Sequence, residues 1–508
     1  MRHLIVLVLC CGGGVALACS AGSVRDSGTC GEDGHADDCF WDVPFDVPPP
    51  SFVFADPPPP PCGDWEPAAI TAPREVPAGT DGVSLKWFYP LNIDGLYSRS
   101  IVQKSDGAVC LAMEHSAQFG CVNPDGTLQW IHPYNFHADG IISLLVTPQS
   151  EVVVETEMGE IVAVRAEGPE SDLGIVWQMA PSTLPFPDSR PLTDEWPHMF
   201  VAAGGFLFIT QPFGERLDVF DRCGHWRWSL DNMRLDYGRG AVLGAELILL
   251  GESIQDFWSH CADDPLGIVS SKLWAIHVDG RMEQVGMGIP GYPVSAFPLG
   301  EDRFLAWSMD GRMDGDHWDP AREYCSLLER GGTSAQTFAI ETPPLPQLNL
   351  GGTAFSRADR LVTTTQHDRF GWWQSVLQEY AMDGTLRWER DDLFPAASFA
   401  GFLLGRDGRV VVLGMGYEGS PPHDATGTVV FVLGEDGAIQ HRETFREAQV
   451  MLGARPLLAM DGTLYFMGRT ADQVMLIAVQ TPVPGPQPGD MGWLRPVGRT
   501  PAADWWAP

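Results

Sequence analysis

Apolar and polar residues alternate along most of this chain, in short runs that end at Gly, Asp or Pro. Ile101–Met113 consists of two such runs separated by Asp106-Gly107, and Gly401–Leu413 repeats the arrangement around Asp407-Gly408. Alternation with a period of two places every second side chain on one face of a strand, and Asp-Gly favours a tight hairpin turn. Because no amphipathic helical stretch of useful length accompanies these runs, the pattern predicts an all-β chain.

Hairpins of this kind recur eight times from about residue 81, and a second pair of strands follows each of them. Three of the second halves share a phrase in which a turn containing Gly precedes a strand that ends in Trp, at Gly120–Trp130, Asp218–Trp228 and Glu379–Trp388. Four strands per unit and about 50 residues per unit are typical of a β-propeller. The sequence therefore predicts an eight-bladed β-propeller of four-stranded antiparallel sheets, with seven blades as the alternative.

Closure of the ring is predicted from a strand that has no hairpin of its own. Asp81–Trp87 resembles the last strand of a repeat and precedes the first complete hairpin, so we expect it to complete the last blade. Trp493, Trp505 and Trp506 lie in a C-terminal stretch that competes for this position or packs beside it.

The repeat resembles the PQQ-like (pyrroloquinoline-quinone-like) β-propeller repeat, roughly apolar-x-Ala-apolar-Asp-x-x-Gly-x-x-x-Trp. Val219–Asp221, Gly224 and Trp228 match this pattern, as do Tyr380–Gly384 and Trp388. The resemblance covers about residues 81–500 and implies the fold more than an activity. The repeat tryptophans are expected to dock one blade on the next rather than to contact a ligand; they are Trp130, Trp177, Trp228 and Trp388.

Export is predicted from the N-terminus. Arg2 precedes an apolar stretch over residues 4–18 that is too short and too Gly-rich for a membrane span and is typical of a signal peptide. Val15–Cys19 resembles a bacterial lipobox, which implies cleavage after residue 18 and lipid attachment at Cys19. Ser20 implies, by resemblance to enterobacterial sorting, an outer-membrane lipoprotein with the lipid as its only membrane contact. A secreted protein with a structural Cys19 is the alternative.

Residues 19–80 differ in composition from the rest of the chain. Asp33–Asp38 is acidic and poor in apolar residues, and prolines crowd Val47–Pro50 and Pro57–Pro61. Proline runs form extended polyproline II, which does not pack a core. We therefore expect a tether between the signal peptide, residues 1–18, and a propeller over residues 81–508. A PxxP recognition segment is the alternative.

The cysteine count agrees with export. Of 11 cysteines, Cys10 and Cys11 leave with the signal peptide and Cys19 is the lipidation candidate, so eight remain. An even number in an oxidising compartment predicts disulfides, although eight cysteines leave the connectivity open and scattered thiols are the alternative. The candidate pairs are Cys110 with Cys121 on one predicted hairpin, Cys30 with Cys39, and Cys261 with Cys325 in neighbouring insertions.

Net charge excludes some partners. The formal charge of -34, from 66 acidic and 32 basic residues, argues against binding of nucleic acid and against binding to an anionic lipid surface.

Two GxGxxG matches, Gly286–Gly291 and Gly414–Gly419, lack the following helix that a dinucleotide site needs. Standard nucleophile, phosphate-loop and zinc motifs are missing, and the histidines are dispersed, so no catalytic residue or cofactor is predicted.

Two features of the insertions carry candidate chemistry. Asp310–Asp319 contains four aspartates that suggest a calcium site, although the spacing is not that of an EF-hand and a solvated acidic loop is favoured. Aromatic residues there are expected to cap loops onto the propeller, with stacking on sugar or partner as the alternative; they are Trp258, Trp318, Trp372 and Trp373.

These patterns favour a non-enzymatic, lipid-anchored β-propeller that binds or scaffolds an envelope protein or glycan. The class is similar to the propeller lipoprotein of the outer-membrane β-barrel assembly machinery. The insertions near residues 252–272 and 308–333 are the expected contact regions. The alternative is a carbohydrate-active or quinone-linked envelope enzyme that uses the propeller channel.

Overall fold

A computed structural model of the chain confirms the all-β fold class. It describes residues 50–486 apart from 64–65, 67, 92–100, 115–117, 133–140, 157–159, 166–173, 180–197, 202, 211–215, 236–240, 254–270, 290–291, 299–301, 315–316, 333–335, 341–351, 357–359, 370–371, 382, 396–398, 418–424, 452–455 and 471. The described residues form eight antiparallel sheets, numbered I to VIII in chain order, and one short 3-10 turn at Ala203–Gly205.

Sheets I, II and III follow the first two strands of the chain. Those two are β1 (Ser51–Phe54) and β2 (Ser84–Leu91), which join sheets III and VIII. Sheet I contains β3 (Val102–Gln103), β4 (Val109–Glu114), β5 (Gln118–Val122) and β6 (Leu128–Ile131). Sheet II contains β7 (Ile141–Val146), β8 (Val152–Thr156), β9 (Ile161–Arg165) and β10 (Gly174–Met179). Sheet III adds β1 to β11 (His198–Val201), β12 (Leu207–Thr210), β13 (Arg216–Phe220) and β14 (Trp226–Asp231).

Sheets IV, V and VI continue the repeat. Sheet IV contains β15 (Met233–Leu235), β16 (Ala241–Leu243), β17 (Glu246–Ser253), β18 (Ser271–His277) and β19 (Met282–Ile289). Sheet V contains β20 (Tyr292–Pro298), β21 (Arg303–Asp314), β22 (His317–Glu329) and β23 (Gln336–Ile340). Sheet VI contains β24 (Gly352–Ser356), β25 (Arg360–Arg369), β26 (Trp372–Ala381) and β27 (Leu386–Pro395).

The last two sheets complete the ring. Sheet VII contains β28 (Phe399–Leu404), β29 (Val410–Tyr417), β30 (Ala425–Leu433) and β31 (Ile439–Phe445). Sheet VIII adds β2 to β32 (Gln449–Val450), β33 (Leu457–Leu458), β34 (Thr463–Arg469) and β35 (Val474–Gln480). Most strands pair with their chain neighbours, as expected for a propeller blade. The exceptions are β1 on β14, β2 on β35, β15 on β17 and β32 on β34. The exact number of blades stays a prediction.

Apolar side chains are buried between consecutive sheets. Val154 of sheet II packs with Trp130 of sheet I, while Val153 on the opposite face of the same strand packs with Leu207 of sheet III. Both valines are 1% exposed or less. Alternation along each strand therefore supplies one face to the preceding seam and the other to the following seam. A cluster containing Leu111 of sheet I and Leu476 of sheet VIII joins the two ends of the repeat.

The predicted closure strand is confirmed. β2 pairs antiparallel with β35, from Ser84 opposite Gln480 to Leu91 opposite Val474. An N-terminal strand therefore completes a sheet built from the C-terminal part of the chain. The competing C-terminal stretch, with its three tryptophans, lies outside the described residues.

The range predicted as a tether, residues 19–80, contains a strand. Instead of extending away from the propeller, Ser51–Phe54 forms β1 and pairs with β14 at the outer edge of sheet III. The physical reason is the apolar sequence around Phe52, whose ring packs edge-on against Trp228 with centroids 5.3 Å apart. Residues 1–49, including the predicted lipid site, lie outside the described part of the chain.

Candidate functional site: the two ends of the ring

The strand order divides the connections of the ring between two ends. In a sheet whose antiparallel strands follow one another, the first and third turns lie at one end of the strands. The second turn and the link to the next sheet lie at the other. We call these the turn end and the loop end. The turn end carries tight turns such as 147–150 and 434–438, whereas the loop end carries the predicted insertions.

The aspartates of the repeat stabilise turns at the turn end. Asp383 Oδ1 accepts the backbone N–H of Thr385 at 2.9 Å, and Asp125 Oδ1 accepts that of Thr127 at 3.0 Å. Hydrogen bonds from the Thr385 backbone and side chain lower the pKa of Asp383, and those from Thr127 lower the pKa of Asp125. These two carboxylates stabilise the geometry of their turns.

The tryptophans of the repeat lie over turns of the next sheet. Trp228 Nε1 donates to the Val278 carbonyl at 2.9 Å, and Trp388 Nε1 donates to the Glu435 carbonyl at 3.1 Å. Trp177 covers Gly224, where an added Cβ would lie 2.8 Å from the indole. Trp130 is 6% exposed and is buried at the seam between sheets I and II. All four therefore lie at seams between sheets.

Sequence reasoning missed a fifth tryptophan with this role. Trp87 on the closure strand donates from Nε1 to the Pro124 carbonyl at 2.9 Å and covers Gly126 of sheet I. Trp87 ends the segment Asp81–Trp87, which resembles the last strand of a repeat, and this position is the signal that could have identified it.

The turn end is covered by residues 55–76, which follow β1 and which we call the belt. Ala55 donates its backbone N–H to Arg227 of sheet III, and Ala68 donates to Pro148 of sheet II at 2.8 Å. Thr71 and Ala72 both donate to the Ser105 carbonyl of sheet I, at 2.8 and 2.9 Å. The belt therefore crosses three consecutive sheets before the chain enters sheet VIII.

The C-terminal part of the chain covers the neighbouring turns. Thr481 donates its N–H to the Gly462 carbonyl at 2.9 Å, and Arg406 donates its N–H to the Pro484 carbonyl at 3.0 Å. Thr481 and Val483 are completely buried. Segments near both ends of the chain thus occupy the turn end over sheets I, II, III, VII and VIII.

Two cysteine pairs lie at disulfide distance. Cys110 and Cys121 face each other on β4 and β5 with Cα atoms 4.0 Å apart, which confirms that predicted pair. Cys62 of the belt is joined to Cys223 of sheet III, with Cα atoms 6.1 Å apart. The sequence offers no signal for this second pair, because 161 residues separate its members.

The other cysteine predictions stay untested. Cys325 is buried in β22, whereas its predicted partner Cys261 lies outside the described residues. The predicted pair of Cys30 and Cys39 and the lipid-site candidate Cys19 also lie outside them.

One group of side chains has atoms close enough to hold a metal ion. The sulfurs of Cys62 and Cys223 and a carboxylate oxygen of Asp221 lie within 4.8 Å of one another. However, the two sulfurs are joined to each other, and Asp221 Oδ1 accepts the backbone N–H groups of Cys223 and His225 at 2.9 and 3.0 Å. The group is therefore a turn crosslinked by a disulfide rather than a metal centre.

The predicted acidic loop is part of a long hairpin. β21 and β22 pair from Arg303–Glu329 to Asp314–His317, with Arg312 opposite Asp319 and Asp310 opposite Arg322. Asp310 and Asp314 stand four residues apart on one strand, or about 13 Å, which is too far for one calcium ion. The register therefore does not assemble the proposed calcium site from these aspartates; Asp316 lies outside the described residues.

The long hairpins extend the loop end. β25 and β26 pair over ten positions, from Arg360–Ala381 to Arg369–Trp372. Trp372 and Trp373 thus stand at the tip of this hairpin, and Trp318 stands near the tip of β21–β22. Trp258 lies outside the described residues. Three of the four insertion tryptophans, Trp318, Trp372 and Trp373, therefore belong to strands that extend toward the loop end.

A buried carboxyl group lies in the seam between sheets II and III. Glu155 on β8 is completely buried, and neither of its oxygens has a hydrogen-bond partner. Burial raises its pKa to about 8. It shares a strand face with Val153, which packs against sheet III. Because its side chain lies within the seam, it does not present an acid or base to a ligand at either end.

The described residues contain no helix that is long and apolar enough to span a membrane. No protein-family model matches the chain, and no curated protein matches its sequence.

Solved structures of β-propeller proteins resemble this chain at low sequence identity. A streptogramin B lyase is 14% identical with a TM-score of 0.38, covering 80% of this chain and 100% of that one. Virginiamycin B lyase from Staphylococcus aureus is 12% identical with a TM-score of 0.37, covering 78% and 99%. YCF48 bound to D1 peptide is 10% identical with a TM-score of 0.35, covering 80% and 97%. The similarity concerns the fold alone.

Proposed function

We propose that this protein is a non-enzymatic binding or scaffolding module that offers the loop end of its propeller to a protein partner in the cell envelope. The observation that supports this proposal is the coverage of the turn end by the belt and by residues 481–485. These segments occupy the turn end over sheets I, II, III, VII and VIII and reduce the access of a partner to it. The loop end, with its extended hairpins, is the end on which a partner has access.

The repeat type and the attachment to the envelope belong to the same proposal. We assign the repeat to the PQQ-like type on its Asp-x-x-Gly-x-x-x-Trp phrase, without quinone chemistry. Cys19 carries the lipid, and the residues before β1 link it to the rim of sheet III. Replacing Cys19 with Ser should release the protein from the membrane fraction and abolish incorporation of labelled palmitate. Membrane retention of the Cys19→Ser protein would contradict lipid anchoring but would leave the binding proposal standing.

Shortening one loop-end hairpin tests the binding proposal. Replacing residues 310–322 with Asn-Gly keeps the strand pairs from Arg303–Glu329 to Met309–Glu323 and removes the tip of the hairpin. Crosslinking in membranes followed by purification should recover a partner with the parent protein, and recovery should fall at least severalfold with the shortened variant. The matched control shortens β25–β26 beyond the pair of Thr364 and Leu377. Equal recovery by the parent and both variants would contradict a loop-end interface.

A further inference from the structure

The two cysteine pairs differ in their accessibility. Cys110 and Cys121 are completely buried in sheet I, where they lie in the seam with sheet II. Cys62 and Cys223 are each only partly buried, because one lies in the belt and the other in a turn at the turn end. Thiol–disulfide exchange requires a thiolate to approach a disulfide sulfur directly. A reductant in solution therefore reaches Cys62–Cys223 while Cys110–Cys121 stays protected.

The described noncovalent contacts near the Cys62–Cys223 disulfide are few. β1 has only four residues, and Ser51, Val53 and Phe54 are exposed. Between β1 and Ala68, the described residues of the belt make two polar contacts to the ring. One is the Ala55 bond, and in the other Arg227 Nη1 donates to the Pro59 carbonyl at 3.5 Å. Segments with few buried contacts open at low free-energy cost. The disulfide is thus the strongest link between this part of the belt and the ring.

Along the chain, Cys62 of this disulfide lies between the N-terminal region and the closure strand β2. The covalent loop from Cys62 to Cys223 contains β2, sheet I and sheet II. Without the disulfide, the backbone hydrogen bonds of Ala68, Thr71 and Ala72 hold the middle of the belt. The Ala55 bond to sheet III and a bond from Arg406 Nη2 to the Arg74 carbonyl at 3.1 Å hold its two ends. The bonds in the middle end on the carbonyls of Pro148 and Ser105, which are turn-end groups that the belt covers.

We propose that Cys62–Cys223 is a redox-sensitive latch, whose opening releases the belt from the turn end of sheets I to III while β1 stays paired with β14. A dithiol reductant supplies two electrons and two protons. The S–S bond breaks, Cys62 and Cys223 become thiols, and the reductant closes its own disulfide. The buried pair keeps sheet I intact during this change.

Differential alkylation in a dithiothreitol series tests the order of reduction. The native full chain is incubated for the same short time at each concentration and quenched with an isotope-coded alkylating agent, and each cysteine is followed by peptide mass spectrometry. We expect Cys62 and Cys223 to be half-labelled at a dithiothreitol concentration at least roughly tenfold below that for Cys110 and Cys121. Simultaneous labelling of both pairs, or earlier labelling of the buried pair, would overturn the proposal.

Hydrogen exchange on the same samples tests the release of the belt. Amides of Ala55, Ala68, Thr71 and Ala72, which bond to the ring, should exchange at least about tenfold faster once Cys62–Cys223 opens, while β4 and β5 keep their protection. The Cys62→Ser/Cys223→Ser variant should show the same exchange without reductant, and Cys110→Ser/Cys121→Ser serves as the matched control. Because the parent protein is measured with and without reductant, misfolding of a variant leaves the test intact. Unchanged belt exchange after labelling of Cys62 and Cys223 would contradict the latch.

Discussion

Glycines in the turns are placed where both the backbone and a neighbouring indole require them. Gly437 has a φ of 75°, and an added Cβ would lie 2.6 Å from Cδ2 of Trp388. Gly126 beneath Trp87 and Gly224 beneath Trp177 repeat this arrangement. The glycine thus serves the turn and also lets the preceding sheet approach, which explains why Gly and Trp recur together in the repeat.

Substitution of one such glycine separates the two effects. Gly437→Ala should lower the free energy of unfolding by about 2–4 kcal/mol, because strain at positive φ adds to a clash with the indole. Gly331 has a φ of 73° with no atom within 4 Å of an added Cβ, so Gly331→Ala should cost only about 1 kcal/mol. Equal losses in urea unfolding would show that the contact with Trp388 contributes nothing.

The buried carboxyl group of Glu155 predicts a dependence of stability on pH. Its pKa is raised from 4.5 to about 8 by burial, so the folded protein keeps a proton that the unfolded chain releases. This contribution is fully present below pH 4.5 and is lost as the pH rises from there through 8, by on the order of 5 kcal/mol. Burial also lowers the pKa of His132 to about 4, which contributes the opposite slope, but only between about 4 and 6.5.

The window from pH 6.5 to 8 therefore isolates Glu155. The free energy of unfolding should fall across this window in the parent protein and stay nearly level in Glu155→Gln, which has no proton to lose. Urea titrations at several pH values measure the slope. A slope that persists unchanged in Glu155→Gln would assign it to other groups.

At the scale of elements, the closure strand has one face toward the ring and one toward solvent. Trp87 packs against Tyr465 with ring centroids 5.8 Å apart and bonds to sheet I, while Phe88 beside it is 55% exposed. Trp87→Ala should lower the free energy of unfolding by about 3 kcal/mol and raise hydrogen exchange in β35, since burial and a hydrogen bond are lost together. Phe88→Ala should change stability by less than about 0.5 kcal/mol. Comparable losses for the two variants would contradict closure through Trp87.

Elements governed by local pattern were predictable, and those governed by distant contacts were not. Alternation and Asp-Gly turns predicted the strand pairs, and an unpaired repeat end at Asp81–Trp87 predicted the closure. Ser51–Phe54 contains the β-forming residues Phe and Val, but its proline-rich flanks favoured a tether. Its partner β14 lies far along the chain, so no local pattern identified the pairing. The same holds for Cys62 and Cys223, whose contact exists only after sheets I to III have assembled.

At the scale of the whole molecule, the chain uses its own segments to close the ring and to cover one end of it. β2 completes sheet VIII, the belt crosses sheets I to III, and residues 481–485 cover turns of sheets VII and VIII. The insertions and long hairpins gather at the opposite end. This asymmetry has two causes. The first is the strand order, which the sequence predicted, and the second is the path of the belt, which the sequence did not predict.

Site-specific photo-crosslinking in intact cells tests this asymmetry most directly. A photoreactive amino acid replaces Glu447 or Asp472, which are exposed at the loop end, and in matched variants Asp383 or Glu435, which are exposed at the turn end. A loop-end interface predicts that a partner is captured from one or both loop-end positions, with yields from the turn-end positions at background. Capture from the turn-end positions alone, or at equal yield from both ends, would contradict the proposed binding face.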